Sequence, residues 1–305
     1  MSRPSRLRLA AVASGCAVLL ATGCGTQTIP PTNQERTMST TPVEPTALSY
    51  VFDGNTVAYL KQGRGPAVVI VHGIGGRKED FKAVIAALSP SYTVYAIDMV
   101  GFGQSSKDAP RISIGLQVDA VRALMAREGI ARAHLIGNSL GAWVTASVAA
   151  AYPAAVDKLV LIDAAGLKVT LSGPPPVNFA PQTVDEMHKL LATVLDAPFA
   201  QTPAFAEQAL AGFKASGEAA TLGKLFAGFG SPDSKDRPLD DVLPGVRAPT
   251  LVAWGANDRL FPPVLADIVA GGVKGSRKVL IEKASHFPQV DNPDALNAAI
   301  LEFLR

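Results

Sequence analysis

Short continuous apolar runs alternate with stretches of helical spacing along most of the chain. The runs AVVIVHG (67–73), YTVYAID (92–98), AHLIG (133–137) and DKLVLID (157–163) contain few polar residues, as is typical of strands covered on both faces of a sheet. The stretches between them carry apolar residues every three or four positions, which favours amphipathic helices. This alternation predicts an α/β fold, a parallel sheet with helices on both faces.

Two departures from this rhythm predict the domain organisation. The turn sequence DGN lies between SYVF and TVAYLKQG, which indicates a hairpin before the first parallel strand. A later stretch contains helical patterns such as TVDEMHKLLATVL but no clear strand, and strand patterns then resume with PTLVAWG and RKVLIE. We therefore expect an α/β core formed by residues 48–165 and 247–305, with residues 166–246 inserted as a helical cap.

The first residues carry the pattern of an export signal. Arg3, Arg6 and Arg8 precede an apolar run that is too short to span a membrane, and ATGC follows, ending at Cys24. ATGC resembles the lipobox of bacterial lipoproteins, in which the cysteine becomes a lipidated N-terminus. We therefore expect residues 1–23 to be a signal peptide and Cys24 to carry a lipid anchor. An ordinary cleaved signal with an incidental cysteine is the alternative.

The segment after the signal predicts where the protein is held. Residues 24–47 are rich in Thr and Pro and have too few apolar residues to pack, which indicates a flexible tether. With an anchor on Cys24, the expected location is the bacterial cell envelope. In a Gram-negative cell this means the outer membrane or a periplasm-facing position, and without the anchor the protein would be secreted.

Composition and charge narrow the possible partners. The chain is 48% hydrophobic and 18% charged, which is a globular composition. Its net charge of +2 comes from the signal, and the chain without residues 1–23 has a net charge of −1. Nothing in this balance favours nucleic acid as a partner. Cys16 lies inside the signal, so the exported chain would have no disulfide framework.

The sequence GNSLG places Ser139 between Gly137 and Gly141, where an apolar strand gives way to a helical pattern. This G-x-S-x-G pattern with a strand before it and a helix after it is what a nucleophile elbow requires. The start of the helix also directs amide groups and a positive dipole end towards the site. We interpret Ser139 as a nucleophile, and a simple helix cap is the alternative.

A serine nucleophile needs a base, and the chain has only four histidines. His72 begins HGIGG directly after a strand, His134 lies within a strand, and His188 lies in a helical part of the cap. His286 follows a strand in EKASHFPQ, at the edge of the sheet where catalytic groups collect. His286 is therefore the predicted base.

The base in turn needs a carboxylate that orients it. Asp258 and Asp163 both follow apolar strands and are both candidates. We favour Asp258 and keep Asp163 as the alternative acid. Asp98 also ends a strand, but its loop DMVGFGQS indicates that it holds that loop by hydrogen bonds to the backbone.

The reaction also needs hydrogen-bond donors for a developing oxyanion. The glycines of HGIGG allow backbone amides to face a cavity after the strand. The amides of Ile74 and Leu140 are the predicted pair. A simple turn at HGIGG is the alternative.

With these motifs, the chain resembles the serine hydrolases of the α/β-hydrolase fold, of lipase or esterase type with a cap. The resemblance covers about residues 48–305 and depends on HGIGG, DMVGFGQS, GNSLG, GANDR and SHFPQ in that order. It implies a mostly parallel sheet of about eight strands, with the helical cap over the active site. The order Ser139, Asp258, His286 is the family's order of nucleophile, acid and base.

The resemblance implies hydrolysis of carboxylic esters through an acyl-Ser139 intermediate, with no metal and no organic cofactor. Carbon–carbon hydrolases of ring-fission products share the triad, and many carry Trp after the catalytic histidine, where this chain has Phe287. Cofactor-free haloperoxidase activity is a further alternative. A catalytically silent binding protein would normally lack a triad member, and none is missing here.

Apolar residues of the cap point to the class of substrate. They could form a pocket for an apolar acyl group, although packing of the cap against the sheet would explain them as well. The residues are Phe179, Met187, Leu190, Leu191, Phe199, Phe205, Phe213, Leu225 and Phe226. The expected substrate is a small-molecule ester with an apolar acyl group.

Overall fold

The computed structural model describes residues 44–172, 176–229 and 236–305. The predicted signal peptide, Cys24 and most of the tether lie outside these residues. Eight strands form one sheet: β1 (Thr46–Phe52), β2 (Asn55–Gly63), β3 (Ala67–Val71), β4 (Thr93–Ile97), β5 (Ala133–Asn138), β6 (Val156–Ile162), β7 (Thr250–Gly255) and β8 (Arg277–Ile281).

The strand order across the sheet is β1-β2-β4-β3-β5-β6-β7-β8. Strands β3 to β8 run parallel, and β2 pairs antiparallel with both β1 and β4. The predicted α/β fold with a mostly parallel eight-stranded sheet is confirmed. Strand β1 begins earlier than the predicted core boundary at residue 48, because Thr46 and Ala47 already pair with Lys61 and Leu60 of the hairpin.

The helices follow the strands in the predicted alternation. They are α1 (Lys82–Leu88), α2 (Ile114–Arg127), α3 (Leu140–Ala151), α4 (Lys168–Leu171), α5 (Val184–Val194), α6 (Pro203–Ser216), α7 (Glu218–Phe229), α8 (Leu239–Val242), α9 (Leu265–Gly272), α10 (Pro288–Asp291) and α11 (Pro293–Leu304). Four short 3-10 segments accompany them: Lys78–Phe81, Pro153–Ala155, Pro198–Gln201 and Leu243–Gly245. None of the helices in these described ranges has both the length and the apolar character needed to cross a membrane.

Alternating side chains of the central strands build a core on each face of the sheet. Val69 and Val71 pack on the side of α2 and α3, whereas Val68 and Ile70 pack on the side of α1 and α11. Both layers exclude water almost completely, which explains the continuous apolar runs in the sequence.

The segment from β6 to β7 holds α4 to α8 and no strand among its described residues. Local sequence explains where its helices begin. The Thr183 hydroxyl accepts from the amide of Glu186, and the Glu186 carboxylate accepts from the Thr183 amide, which is a capping box. Helix α6 likewise begins with a proline after the capping residue Thr202.

Candidate active site

Ser139 occupies a strained turn between β5 and α3. Its φ of 54° and ψ of −118° are unusual for a residue other than glycine. A Cβ atom on Gly137 would lie 2.2 Å from the carbonyl oxygen of Gly141, and one on Gly141 would lie 2.2 Å from that of Val71. The two glycines of the motif are therefore required by close backbone contacts, and the turn projects Ser139 from the end of its strand.

His286 lies in the loop between β8 and α10, with its ring buried. Its Nδ1 atom is 2.8 Å from Oδ2 of Asp258. The other oxygen of Asp258 accepts hydrogen bonds from the amides of Leu260 (2.8 Å) and Phe261 (2.9 Å). Because a carboxylate oxygen accepts hydrogen bonds, the contact with Oδ2 assigns the ring proton to Nδ1 of His286 and leaves the lone pair on Nε2.

The second ring nitrogen of His286, Nε2, forms no hydrogen bond to Ser139 in the structure. Nε2 is buried and has no hydrogen-bond partner among the residues that the structure describes. His286 and Ser139 both line this one cavity. The structure therefore brings Asp258 and His286 into direct contact and places Ser139 at the same cavity, an arrangement suited to transferring a proton from a hydroxyl.

The predicted oxyanion donors lie beside the serine. Ile74 and Leu140 line the same cavity as Ser139, and Leu140 is the first residue of α3. A Cβ atom on Gly73 would lie 2.8 Å from Cβ of Ser139, so the loop after β3 approaches the turn closely. Neither amide donates to another residue within the described ranges, which leaves both free to bind an oxyanion.

Asp163, the alternative acid, lies next to Asp258 and His286. One carboxylate oxygen from each of Asp163 and Asp258 and one ring nitrogen of His286 lie within 4.8 Å of one another. Oδ1 of Asp163 accepts from the Gly255 amide at 2.8 Å, and Oδ2 has no partner among the described residues. Burial, followed by the nearby Asp258 carboxylate, raises the pKa of Asp163 well above its usual value.

Two further residues, missed by the sequence reasoning, hold the loop of His286. The side-chain nitrogen of Asn138 donates to the backbone carbonyls of His286 (3.1 Å) and Ile162 (3.3 Å). Gln289 donates to the side-chain oxygen of Asn138 at 3.2 Å. Both lie inside the motifs GNSLG and SHFPQ, and that position was the only signal that could have pointed to them.

Asp98 and His72 belong to a buried network behind the site. Asp98 accepts from the amides of Lys78 and Gln104 and from the Lys78 ammonium group, which is 2.6 Å away. The loop role predicted for Asp98 thus agrees with these contacts. Burial opposes its charge, but His72, Lys78 and the amides outweigh this and hold the pKa of Asp98 below its usual value. Nε2 of His72 accepts from the Met99 amide, and burial lowers the pKa of this ring.

The remaining two histidines lie away from the cavity. His134 packs edge-on against Tyr92 at the ring-centroid distance of 5.6 Å, and burial lowers its pKa. His188 is on the surface of α5, where Nε2 lies 3.1 Å from the carbonyl oxygen of Gln201. Neither is among the residues that line the cavity of Ser139.

The cavity at Ser139 has a volume of about 900 Å³ and is mostly apolar. Of the nine apolar cap residues singled out in the sequence, all but Leu225 line it. Leu225 packs into the core below instead. The cavity also contains a few charged groups, Arg77, Asp80 and Glu218. Burial raises the pKa of both Asp80 and Glu218.

The family follows from a match along most of the chain. Residues 66–293 match the family model described as alpha/beta hydrolase fold. The chain belongs to this family. Membership of this family supports hydrolysis as the class of reaction, and the site described above lies in an alpha/beta hydrolase.

Individual relatives differ in what they do. A Pseudomonas putida protein named dihydrolipoyllysine-residue acetyltransferase component of acetoin cleaving system is 30% identical over 242 residues. The match covers 79% of this chain and 64% of that protein, so the chain spans less than two thirds of its length. A 2-hydroxy-6-oxononadienedioate/2-hydroxy-6-oxononatrienedioate hydrolase from a Pseudomonas species is 25% identical, with 83% and 89% covered.

Among solved structures, a membrane phospholipase A, described as a bacterial virulence factor, is similar in fold and sequence. It has a TM-score of 0.69 and 28% identity, and the match covers 85% of this chain and 86% of that one. The names of these three similar proteins describe different reactions. The choice among ester and carbon–carbon bonds therefore depends on the site itself.

Proposed function

We propose that this protein is a serine esterase that cleaves carboxylic esters with apolar acyl groups through an acyl-Ser139 intermediate. The observation that carries the proposal is the 2.8 Å contact from His286 Nδ1 to the Asp258 carboxylate, at a cavity that Ser139 also lines. This contact fixes the tautomer in which Nε2 can accept a proton.

The first half of the reaction forms the acyl-enzyme. Nε2 of His286 takes the proton of the Ser139 hydroxyl as its oxygen attacks the ester carbonyl carbon. The carbonyl oxygen becomes an oxyanion that accepts from the amides of Ile74 and Leu140. The tetrahedral intermediate then collapses, the bond to the alcohol oxygen breaks, and His286 gives its proton to that oxygen.

The second half releases the acid. A water molecule gives a proton to Nε2 of His286 and attacks the acyl carbon, and the same amides hold the second oxyanion. When this intermediate collapses, His286 returns the proton to the oxygen of Ser139. Asp258 remains ionised throughout and stabilises the imidazolium form of His286.

Two features support an ester with an apolar acyl group. The cavity walls are formed mainly by Leu, Phe, Met and Val side chains, which favour a hydrocarbon chain in the site. One similar solved structure is named a membrane phospholipase A. Phe287 after the predicted base, rather than Trp, further favours the lipase and esterase members.

A carbon–carbon hydrolase is the second candidate, because one relative similar over most of both chains is a 2-hydroxy-6-oxononadienedioate hydrolase. Such a substrate would bring carboxylates into the cavity. Among the described residues that line the cavity, Arg77 is the one arginine or lysine, and the acids Asp80 and Glu218 line it as well. This balance of charge favours a neutral ester over a dicarboxylate.

The test measures turnover of p-nitrophenyl esters of increasing acyl length beside turnover of a ring-fission dienoate. We expect ester turnover, and fluorophosphonate labelling on Ser139. Ser139→Ala should lose labelling and about 10⁶-fold in kcat, as for the loss of the nucleophile in subtilisin. Ser49→Ala, at an exposed serine of β1, is the matched control and should keep both. A faster dienoate reaction with no ester turnover would favour the second candidate.

A further inference from the structure

Asp163 is a fully buried acid at the end of β6 that the proposed mechanism does not use. Its φ of 44° is in the left-handed region, which costs energy for any residue except glycine. One of its oxygens lies within 4.8 Å of both Asp258 and His286. A strained, buried acid at this distance from the catalytic pair calls for a physical explanation.

The hydrogen bonds around the two acids are unequal. Asp258 accepts two amide hydrogen bonds on Oδ1 and faces His286 with Oδ2. Asp163 accepts one amide, that of Gly255, and its Oδ2 atom is buried with no donor among the described residues. An ionised Oδ2 would be left without a partner in a dry interior, which is costly. A proton on that atom removes the cost.

We propose that Asp163 is a neutral positioning residue, whose Oδ2–H group donates a hydrogen bond to the Asp258 carboxylate. This inference rests on the proposed triad. The hydrogen bond limits rotation of the Asp258 carboxylate, and so keeps Oδ2 of Asp258 directed at Nδ1 of His286. Asp163 acts through Asp258 and touches no reacting atom.

The charges around Asp163 agree with its neutrality. Two carboxylates so close in a buried site do not both ionise. Asp291 adds a third acid nearby, and the amides of Asp196, Ala197 and Ser285 donate to it. His286, which becomes positive during the proposed reaction, faces Asp258. The proton of the pair therefore stays on Asp163, whose pKa burial and Asp258 raise.

The test compares Asp163→Asn with Asp163→Gly in the whole protein. Asn offers an amide donor in the place of the hydroxyl, keeps an acceptor for Gly255, and tolerates the positive φ. Gly accepts the same φ without strain but has no side chain. Asp119→Asn, on the exposed side of α2, controls for the loss of one acidic residue. Each variant is titrated with fluorophosphonate, so that rates refer to active sites.

The expected results differ among the three variants. Asp163→Gly should lose on the order of 10²-fold in kcat with little change in KM, because the base is then held loosely. Asp163→Asn should restore kcat to within about fivefold of the parent, since a donor of similar geometry replaces the hydroxyl. The acidic limb of its kcat/KM profile should coincide with those of the parent and Asp119→Asn.

Three outcomes would overturn the inference. The first is an acidic limb of the kcat/KM profile that lies about one pH unit or more lower in Asp163→Asn than in the parent. Such a shift would mean that the substitution removed a negative charge beside His286, and so that Asp163 is ionised. Full kcat in Asp163→Gly would remove its positioning role. Equal losses in the two variants would mean that no donor is needed there. If the parent protein neither hydrolyses esters nor binds fluorophosphonate, the proposed function fails instead.

Discussion

At the scale of single residues, Asp258 and Asp163 have separate roles although both end apolar strands. Asp258 accepts hydrogen bonds from two backbone amides and contacts His286. Asp163 is held by a single amide, and burial raises its pKa. The acid role in catalysis therefore belongs to Asp258 in the proposed mechanism.

This division predicts very different costs for two matched substitutions. Asp258→Asn presents the wrong hydrogen bond to His286 and should lose about 10⁴-fold in kcat, the magnitude known from a serine protease. Asp163→Asn should lose far less. Steady-state kinetics on the preferred ester measure both, and circular dichroism checks that each variant is folded. A larger loss in Asp163→Asn would transfer the acid role to Asp163.

The buried pair of Asp98 and Lys78 predicts a stability effect. Asp98→Asn leaves the Lys78 ammonium inside the protein, with Glu79 as its one remaining ion-pair partner among the described residues. We therefore expect a loss of about 3 kcal/mol in the free energy of unfolding. Urea denaturation at pH 7 measures it. Asp119→Asn, an exposed acid on α2, should change stability by less than about 0.5 kcal/mol.

The pair of Asp98 and Lys78 also predicts how the free energy of unfolding changes with pH. The pKa of Asp98 is below its usual value in the folded protein, so the folded state binds fewer protons than the unfolded chain in acid. The stability from Asp98 is therefore fully present above about pH 3.9, the value for unfolded Asp. It falls as pH drops through the lower folded value. The difference in stability between the parent and Asp98→Asn should shrink there, and a constant difference would contradict this.

The catalytic candidates were predictable because the chemistry requires particular residues after strands. Ser139 was marked by its glycines, and His286 by elimination among four histidines. Asn138 and Gln289 were not, because their contacts join residues 148 and 151 positions apart. Spacing along the chain carries no information about such contacts.

At the scale of elements, the cap shows what helical spacing can and cannot predict. The capping residues of α5 and α6 mark where these helices begin, so their existence followed from the sequence. The sequence did not predict which face of each helix lines the cavity. In α7, Phe226 lines the cavity while its neighbour Leu225 packs into the core, because adjacent helical residues point about 100° apart.

We predict that Phe199 and Phe205 of the cap limit the length of the acyl chain that the enzyme prefers. Both line the cavity, and their rings pack edge-to-face with centroids 5.1 Å apart. Replacing either by Ala lengthens the pocket, so we expect the preferred acyl chain to become longer by about two or more carbons. Each methylene in such a pocket changes selectivity by about 10-fold or more. Turnover of the p-nitrophenyl ester series measures the shift.

Leu225→Ala is the matched control for these variants, since it removes a buried cap side chain that does not line the cavity. It should lower stability by about 2–5 kcal/mol and leave the preferred acyl length unchanged. If the Phe variants keep the parent's preference, or if Leu225→Ala shifts it equally, the cap acts through its packing and not through the shape of the pocket.

At the scale of the whole molecule, the sheet gathers residues from distant parts of the chain at one edge. The parallel strands β5, β6, β7 and β8 are adjacent, so the residues after them meet at their carboxyl ends. Periodicity predicted the parallel strands. It did not predict that β4 lies between β2 and β3, because the apolar runs of β3 and β4 are equally compatible with either order.

The predicted lipid anchor on Cys24 bears on where the protein acts. Cys24 lies outside the described residues, and the case for a lipid anchor depends on the basic start, the short apolar run and ATGC. We propose that an anchored Cys24, followed by the Thr- and Pro-rich segment 25–43, holds the hydrolase at the bacterial cell envelope. A lipid anchor would keep the cavity near esters dissolved in a membrane.

Cys24→Ser tests the anchor in the full-length protein expressed in a bacterial host. The substitution removes the sulfur that would carry the diacylglyceryl group, so lipoprotein-type processing should stop and the mass of the lipid should disappear from the intact protein. The parent should fractionate with membranes and resist extraction by salt. Cys16→Ser, inside the predicted signal, is the control and should leave the lipid in place. An unmodified Cys24 in the parent, with activity in the soluble fraction, would replace the anchor with simple secretion and leave the proposed esterase chemistry intact.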